Sequence, residues 1–263
     1  MSAFTPTEVL EAVSEKDISP GASGITRLVL RLIMSPQYRD KASPNVTLEY
    51  ITSLLNAFLR SEISCEYTSV GLLVLIPKPG KHFSLRYRDE RPLTMINELP
   101  KIAHSILGRR ICVILTEYAL LHPANRAYLR GASTYDCNRL LIARIEQAIR
   151  DGHPLLAIFY DFSKAFDRLQ WWHIRWALRR FAMPDSFINF LFSYLQCART
   201  HIRTRYGLTD GINILTSARQ GDPLSQYIWQ ICIESLHDLL NADPYSYTIS
   251  SFAFLHIERS MIV

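Results

Sequence analysis

Apolar positions recur along the chain in two rhythms, and each rhythm predicts a kind of element. Leu48, Ile51, Leu54, Leu55, Phe58 and Leu59 fall at helical spacing, which predicts an amphipathic helix over 48–59. The same reading gives a short helix over 26–34, a long one with a basic face over 99–121, and another over 135–150. The unbroken apolar runs 71–77 and 155–161 are strand-sized, and the second reads as a buried strand. Residues 91–95 read as the partner of the first run, across the turn signal Pro79-Gly80. Asp151-Gly152-His153-Pro154 breaks the helix ahead of the second run. Helices over 171–181 and 184–195 follow, Pro184 standing at a helix start. A hairpin over 200–206 and 212–216, an apolar helix over 224–240 and a last strand over 247–254 complete the pattern. Strands and helices alternate irregularly, with antiparallel pairs among them, so the fold class is α+β and not a doubly wound sheet.

Composition narrows the classes. The 263 residues hold one large domain or two small ones. With 48% hydrophobic against 20% charged residues, the chain has the apolar surface to offset chain entropy, which excludes disorder as the default. No apolar run approaches the ~18–20 residues of a membrane span, and 1–13 lack the basic-then-apolar pattern of a secretory signal. Cys65, Cys112, Cys137, Cys197 and Cys232 are scattered without C-x-x-C spacing. That suggests neither a zinc site nor a disulfide framework, but free thiols in an intracellular compartment, nuclear or cytoplasmic. Residues 1–16 read as a solvated, helical lead-in.

The net charge of +5 permits nucleic-acid binding without establishing it. Its placement is more informative. Arg86, Arg88, Arg91, Lys101, Arg109 and Arg110 form one cluster; Arg175, Arg179, Arg180, Arg199, Arg203 and Arg205 form another. Plain surface solvation explains many such runs.

Three stretches carry candidate chemistry. Asp161 ends the run 155–161, and Asp167 follows six residues on. A carboxylate at a strand end can hold a hard cation such as Mg²⁺; equally, it can cap the next turn. Arg219-Gln220-Gly221-Asp222-Pro223-Leu224-Ser225 precedes an apolar helix. Its glycine allows close backbone approach and its helix start favours an anion, the alternative being an ordinary loop with an Asp cap. Lys78 and Arg91 flank a hairpin, where a point charge and a bidentate fork could clamp a triphosphate.

In this order, the three stretches resemble the reverse transcriptase domain of a non-LTR (LINE-type) retrotransposon. Pro20-Gly21-Ala22-Ser23-Gly24-Ile25 resembles the family's PGxDGI, with Ser23 for Asp. Ile76-Pro77-Lys78 and Arg91-Pro92-Leu93 resemble its two fingers motifs, followed by Asn97 and Lys101-Ile102. Tyr128, Gly131, Ser133-Thr134 and Asp136 resemble its FxxGRSTxD segment, with Ala132 where Arg is usual. Asp161 with Lys164-Ala165-Phe166-Asp167 resembles motif A, and 219–225 matches motif B. The resemblance covers 17–254, leaving 1–16 as lead-in and 255–263 as a divergent tail. It implies a right-hand polymerase with fingers and a partial palm, an antiparallel sheet packed by helices, the thumb missing. It implies an RNA template, a DNA primer and Mg²⁺, and no membrane. Asp161 would be a catalytic metal ligand, Lys78 and Arg91 would hold the triphosphate, Phe166 would exclude a ribose 2′-hydroxyl, and Gln220 and Gly221 would line the nascent base pair. Asp167 is read as structural.

The family's motif C, Tyr/Phe-Ala-Asp-Asp, is approached by Ile249-Ser250-Ser251-Phe252-Ala253-Phe254, and Leu255-His256-Ile257-Glu258 follow it. A two-metal site needs several converging carboxylates to offset its charge. The expectation is therefore a polymerase-type fold that does not polymerise as this chain. The alternatives are a nucleic-acid-binding module or decoy, and a polymerase completed by another chain. A strand over 247–254 without its return strand is expected to leave an exposed edge.

Overall fold

The computed structural model describes residues 1–14, 20–34, 45–61, 68–80, 90–129, 131–159, 162, 164–241, 246–249 and 252–256. The helices are α1 (Pro6–Ser14), α2 (Arg27–Met34), α3 (Val46–Leu59), α4 (Glu98–Glu117), α5 (Thr134–Asp151), α6 (Trp171–Arg180), α7 (Asp185–Gln196) and α8 (Ser225–Asn241). The strands are β1 (Val70–Pro77), β2 (Glu90–Ile96), β3 (Leu155–Phe159), β4 (Arg199–Thr204), β5 (Gly207–Leu208), β6 (Ile212–Asn213), β7 (Ser246–Ile249) and β8 (Phe252–His256).

Local chemistry sets the boundaries. Asn45 caps α3, its side chain accepting from the Leu48 N–H at 3.1 Å. Ser133 caps α5 in the same way, accepting from Tyr135. That helix ends where the breaker 151–154 predicts, at Gly152 in the left-handed region with φ +65°. Pro184 sits one residue outside α7, as its N-cap.

Two sheets result. The larger runs β2-β1-β4-β5, with β6 also on β4. Its β1–β2 hairpin is antiparallel, but β1 and β4 are parallel, so this sheet is mixed and not purely antiparallel as expected. A parallel neighbour needs a long crossover, and here α4, α5, β3, α6 and α7 supply it. The smaller sheet runs β3-β8-β7.

The main core gathers around α4, which packs against α1, α3 and α8. Ile102, Ala103, Ile106, Leu107, Ile111 and Leu115 are all buried there. Gly108 lets the Tyr227 ring approach, since a Cβ would lie 2.7 Å from it.

Four expectations change. The long helix has no simple basic face: Lys101 is buried, because α4 is enclosed by neighbours on several sides. Residues 1–14 are not a solvated lead-in. Phe4, Val9, Ala12 and Val13 join the core, and the Phe4 backbone exchanges hydrogen bonds with the Asn56 side chain at 2.6 and 3.0 Å. The run at 155 is not buried, since β3 is an edge strand with Leu156 and Phe159 exposed. The single strand over 247–254 is instead the hairpin β7–β8: β8 is paired on both sides, by β3 and β7, while β7 remains an edge of the sheet among the described residues.

Candidate active site

The loop 219–225 is anchored on three sides. The Thr94 N–H donates to the Gln220 carbonyl at 2.9 Å, so the loop extends the outer edge of β2. Gly221 has φ +110°, and a Cβ there would sit 2.5 Å from the Thr94 carbonyl oxygen. Only glycine satisfies both the backbone angle and that approach.

Asp222 makes the second anchor. His104 Nδ1, on α4, lies 2.8 Å from both of its carboxylate oxygens. One of those oxygens also accepts from the Leu224 N–H at 2.9 Å, which caps the start of α8. His104 is fully buried, with the Tyr194 ring set edge-on at 4.6 Å and Phe190 at 6.0 Å. The third anchor is Arg219. Its buried guanidinium donates to the Tyr194 hydroxyl and to the Arg199 carbonyl, both at 3.3 Å.

A second segment is strapped to the same loop. The Ala218 N–H donates to the Phe166 carbonyl at 3.2 Å, and the Ser217 N–H to the Leu169 carbonyl at 3.0 Å. The Trp171 indole donates back to the Ser217 carbonyl at 3.2 Å. These bonds hold the half-buried Phe166 ring against Trp229, with centroids 5.8 Å apart. Phe166, Gln220 and Gly221 then share a cleft of about 460 Å³, which Arg109, Tyr128 and Tyr227 also line.

The other sequence-predicted residues are placed differently. Lys78 and Arg91 are exposed at the end of the β1–β2 hairpin, where Ile76 pairs with Arg91. They do not line the cleft, although Arg91 shares its strand with Thr94. Asp161 lies outside the described residues, as do Arg86, Arg88, Cys65 and Glu258. Burial raises the Asp167 carboxyl above the usual range, and nearby Lys164 partly offsets this. Among the described residues no group of three or more His, Cys, Asp or Glu could hold a metal ion, so they do not make a two-metal donor set. Cys232 is no nucleophile candidate either, because burial pushes its thiol up to about 12.

Sequence reasoning missed His104, whose only signal is a histidine amid apolar helical positions. It also missed a buried ion cluster under the cleft. Arg27 Nε lies 2.6 Å from Glu98, and Lys101 Nζ 3.4 Å from the same carboxylate. Here the PGxDGI-like segment docks on the start of α4. A Cβ on Gly21 would lie 2.5 Å from the Ile96 carbonyl, and the Ser23 N–H donates to the Asn97 side chain at 2.9 Å.

The family profile "Reverse transcriptase (RNA-dependent DNA polymerase)" matches residues 76–253. The probable RNA-directed DNA polymerase from transposon X-element of Drosophila melanogaster is 25% identical, over 96% of this chain and 26% of its own length. The Pol polyprotein of the type-1 retrotransposable element R2 from Popillia japonica is 28% identical, over 71% of this chain and 25% of its own. The chain thus spans about a quarter of the length of these relatives. Among solved structures, a Candida tropicalis telomerase lacking its C-terminal domain superposes on 73% of this chain and 44% of its own. Its TM-score is 0.50 at 14% identity, a likeness of fold alone, and that fold is the right-hand polymerase. The chain belongs to the reverse transcriptase (RNA-dependent DNA polymerase) family, and the relatives it is similar to are retrotransposon polymerases.

Proposed function

We propose that this chain supplies the template- and nucleotide-facing surfaces of an RNA-directed DNA polymerase, working in an intracellular setting on an RNA template and a DNA primer. One observation carries the reading: Gln220 and Gly221, bonded to the edge of β2, share a cleft with Phe166. In that arrangement the Gly221 backbone presents a surface without a side chain to a nascent base pair. Phe166 stands where a ring would meet a ribose 2′-hydroxyl. Lys78 and Arg91 hold the triphosphate, the lysine as a point charge and the arginine as a fork. Phosphoryl transfer depends largely on such positioning and charge stabilisation.

Reverse transcriptases generally use a divalent metal, and Asp161 is the residue we assign to it. Between 247 and 263 the sequence has one carboxylate, Glu258, so the acidic pair of motif C has no counterpart there. We infer that the chain binds its template without polymerising by itself. Primer extension on an RNA template with Mg²⁺ tests this, the expected result being no incorporation above background. Incorporation that Asp161→Ala abolishes would overturn the inactive reading while keeping the family one.

A further inference from the structure

The strand β4 and its tip read Arg199-Thr200-His201-Ile202-Arg203-Thr204-Arg205-Tyr206. Alternate residues of a strand share a face, so Arg199, His201 and Arg203 form a basic stripe, with Arg205 in the turn just past the strand's end. Their spacing is about 6.7 Å, two strand residues, which is comparable to the step between phosphates of an extended single strand. The opposite parity turns inward at the start of the strand, while Thr204 near the tip is exposed. Thr200 is buried, and its hydroxyl lies 3.5 Å from where a Cβ on Gly71 would stand. Arg199, Arg203 and Arg205 are exposed, and among the described residues none of them pairs with a carboxylate. From 199 to 213 the sole carboxylate is Asp210.

The sheet register extends this face to the cleft side. His201 is level with Leu72 and Leu72 with Met95; further along, Val74 faces Leu93 and Ile76 faces Arg91. Arg91 therefore lies on the same face as the stripe, with the half-buried Leu72, Val74, Leu93 and Met95 between them. Because β1 and β4 are parallel with Leu73 level with Ile202, the tip at 205–206 emerges at the same end of the sheet as 76–77. At that tip Tyr206 is 84% exposed, with the Arg205 guanidinium 4.6 Å from its ring centroid. Exposed aromatic rings beside a basic track are how proteins hold single strands without reading sequence.

We propose that this face binds a single-stranded nucleic acid, with phosphates on Arg199, Arg203 and Arg205 and a base stacked on Tyr206. The proposal rests on the polymerase reading, since the strand would lead toward Arg91 and the loop 219–225. Fluorescence anisotropy of the full chain with labelled single-stranded RNA, single-stranded DNA and a duplex, each titrated with salt, tests it. Both single strands are expected to bind, with affinity falling as salt rises. The double variant Arg203→Ala/Arg205→Ala is expected to flatten the log–log salt slope by about 1.4, two phosphate contacts' worth. Tyr206→Ala is expected to weaken binding about tenfold and Tyr206→Phe to restore it. Arg139→Ala/Arg150→Ala on α5 is expected to change neither quantity. Unchanged slope and affinity in the hairpin variants of a wild type that does bind would overturn this proposal alone. Equal dependence of duplex binding on these residues would overturn its single-strand form. No binding by the wild type at low salt would overturn it together with the polymerase reading.

Discussion

On α4, Lys101, Arg109 and Arg110 each meet a carboxylate: Glu98, Glu11 and Glu8. On β4 and its tip, Arg199, Arg203 and Arg205 meet none among the described residues. The helix is wrapped by α1, α3 and α8, so its cations are drawn into internal pairs. The strand buries Thr200 and leaves Arg199 and Arg203 exposed. The lesson is that a basic run counts toward a nucleic-acid surface only where the fold leaves its charge uncompensated. Substitutions on α4 should therefore cost stability, and substitutions on β4 should cost binding.

The largest effect is expected at Glu98. It is the shared partner of Arg27 and Lys101, both essentially without solvent contact. Glu98→Gln removes the carboxylate these two buried cations share and should destabilise by about 3–5 kcal/mol in denaturant unfolding. Lys101→Met is the sharper probe. Burial pushes the Lys101 ammonium below its ordinary range and Glu98 only partly offsets this, so losing the charge should cost less than about 1 kcal/mol. If both variants were equally damaging, α4 would be sensitive to any change and its ion pairs would explain nothing.

A similar contrast holds at the loop that joins the two regions. Gly221→Ala puts a Cβ 2.5 Å from the Thr94 carbonyl at a φ of +110°. Thermal or denaturant unfolding should show a loss of about 2–3 kcal/mol. The loop would also lift from β2, so template binding should weaken with it. A fully stable variant would show that the close approach to Thr94 is dispensable.

Much of this was legible in the chain, and the reasons for the rest are physical. The strands at 71–77 and 91–95 carry dense local signals, and so does the loop 219–225. Period, turn residues and helix start all lie within a few positions, so the hairpin and the loop emerge from sequence. What sequence did not reveal depends on distant partners. Arg27 and Glu98 are 71 positions apart, and His104 and Asp222 are 118 apart. The lysine of 99–121 read as solvated because helical spacing shows where charges sit, not what packs on them. Residues 1–16 read as a lead-in for the same reason, since Glu8 and Phe4 become structural only against Arg110 and Asn56. The motif residues Phe166, Gln220 and Gly221 do converge, while Lys78 and Arg91 stand outside the cleft, a separation that spacing along the chain does not encode.

The next effect is pH-dependent. Hydrogen bonds from Arg110 hold the Glu8 carboxyl at about 2, down from the usual 4.5, despite partial burial. A lowered folded-state pKa means the stabilisation is complete above about 4.5 and drains away as pH falls toward 2. With the carboxylate about a quarter exposed, solvent screening reduces this to about 1–2 kcal/mol. Arg110 also donates to the Ser2 and Ala3 carbonyls and lies over the Phe4 ring. Arg110→Ala should therefore remove that acid-range slope from the stability–pH curve and release α1 from α4. An unchanged slope would mean that another carboxylate governs the acid limb.

The smallest effect on stability is expected where the binding effect is largest. Arg203 and Arg205 are exposed, and the nearest aromatic contact of Arg205 is its own neighbour Tyr206. Removing both should shift the unfolding free energy by less than about 0.5 kcal/mol, as for surface positions without buried partners. It also removes two like charges from one strand face, and relieving that repulsion pushes the sign toward slight stabilisation. Denaturant unfolding at low and high salt separates the two contributions, since screening erases the repulsion and leaves the packing. A loss as large as that expected for Arg110→Ala would place these arginines inside the fold's own electrostatics. The difference between α4 and β4 would then vanish, because charge on either would serve the structure and not a strand laid across it.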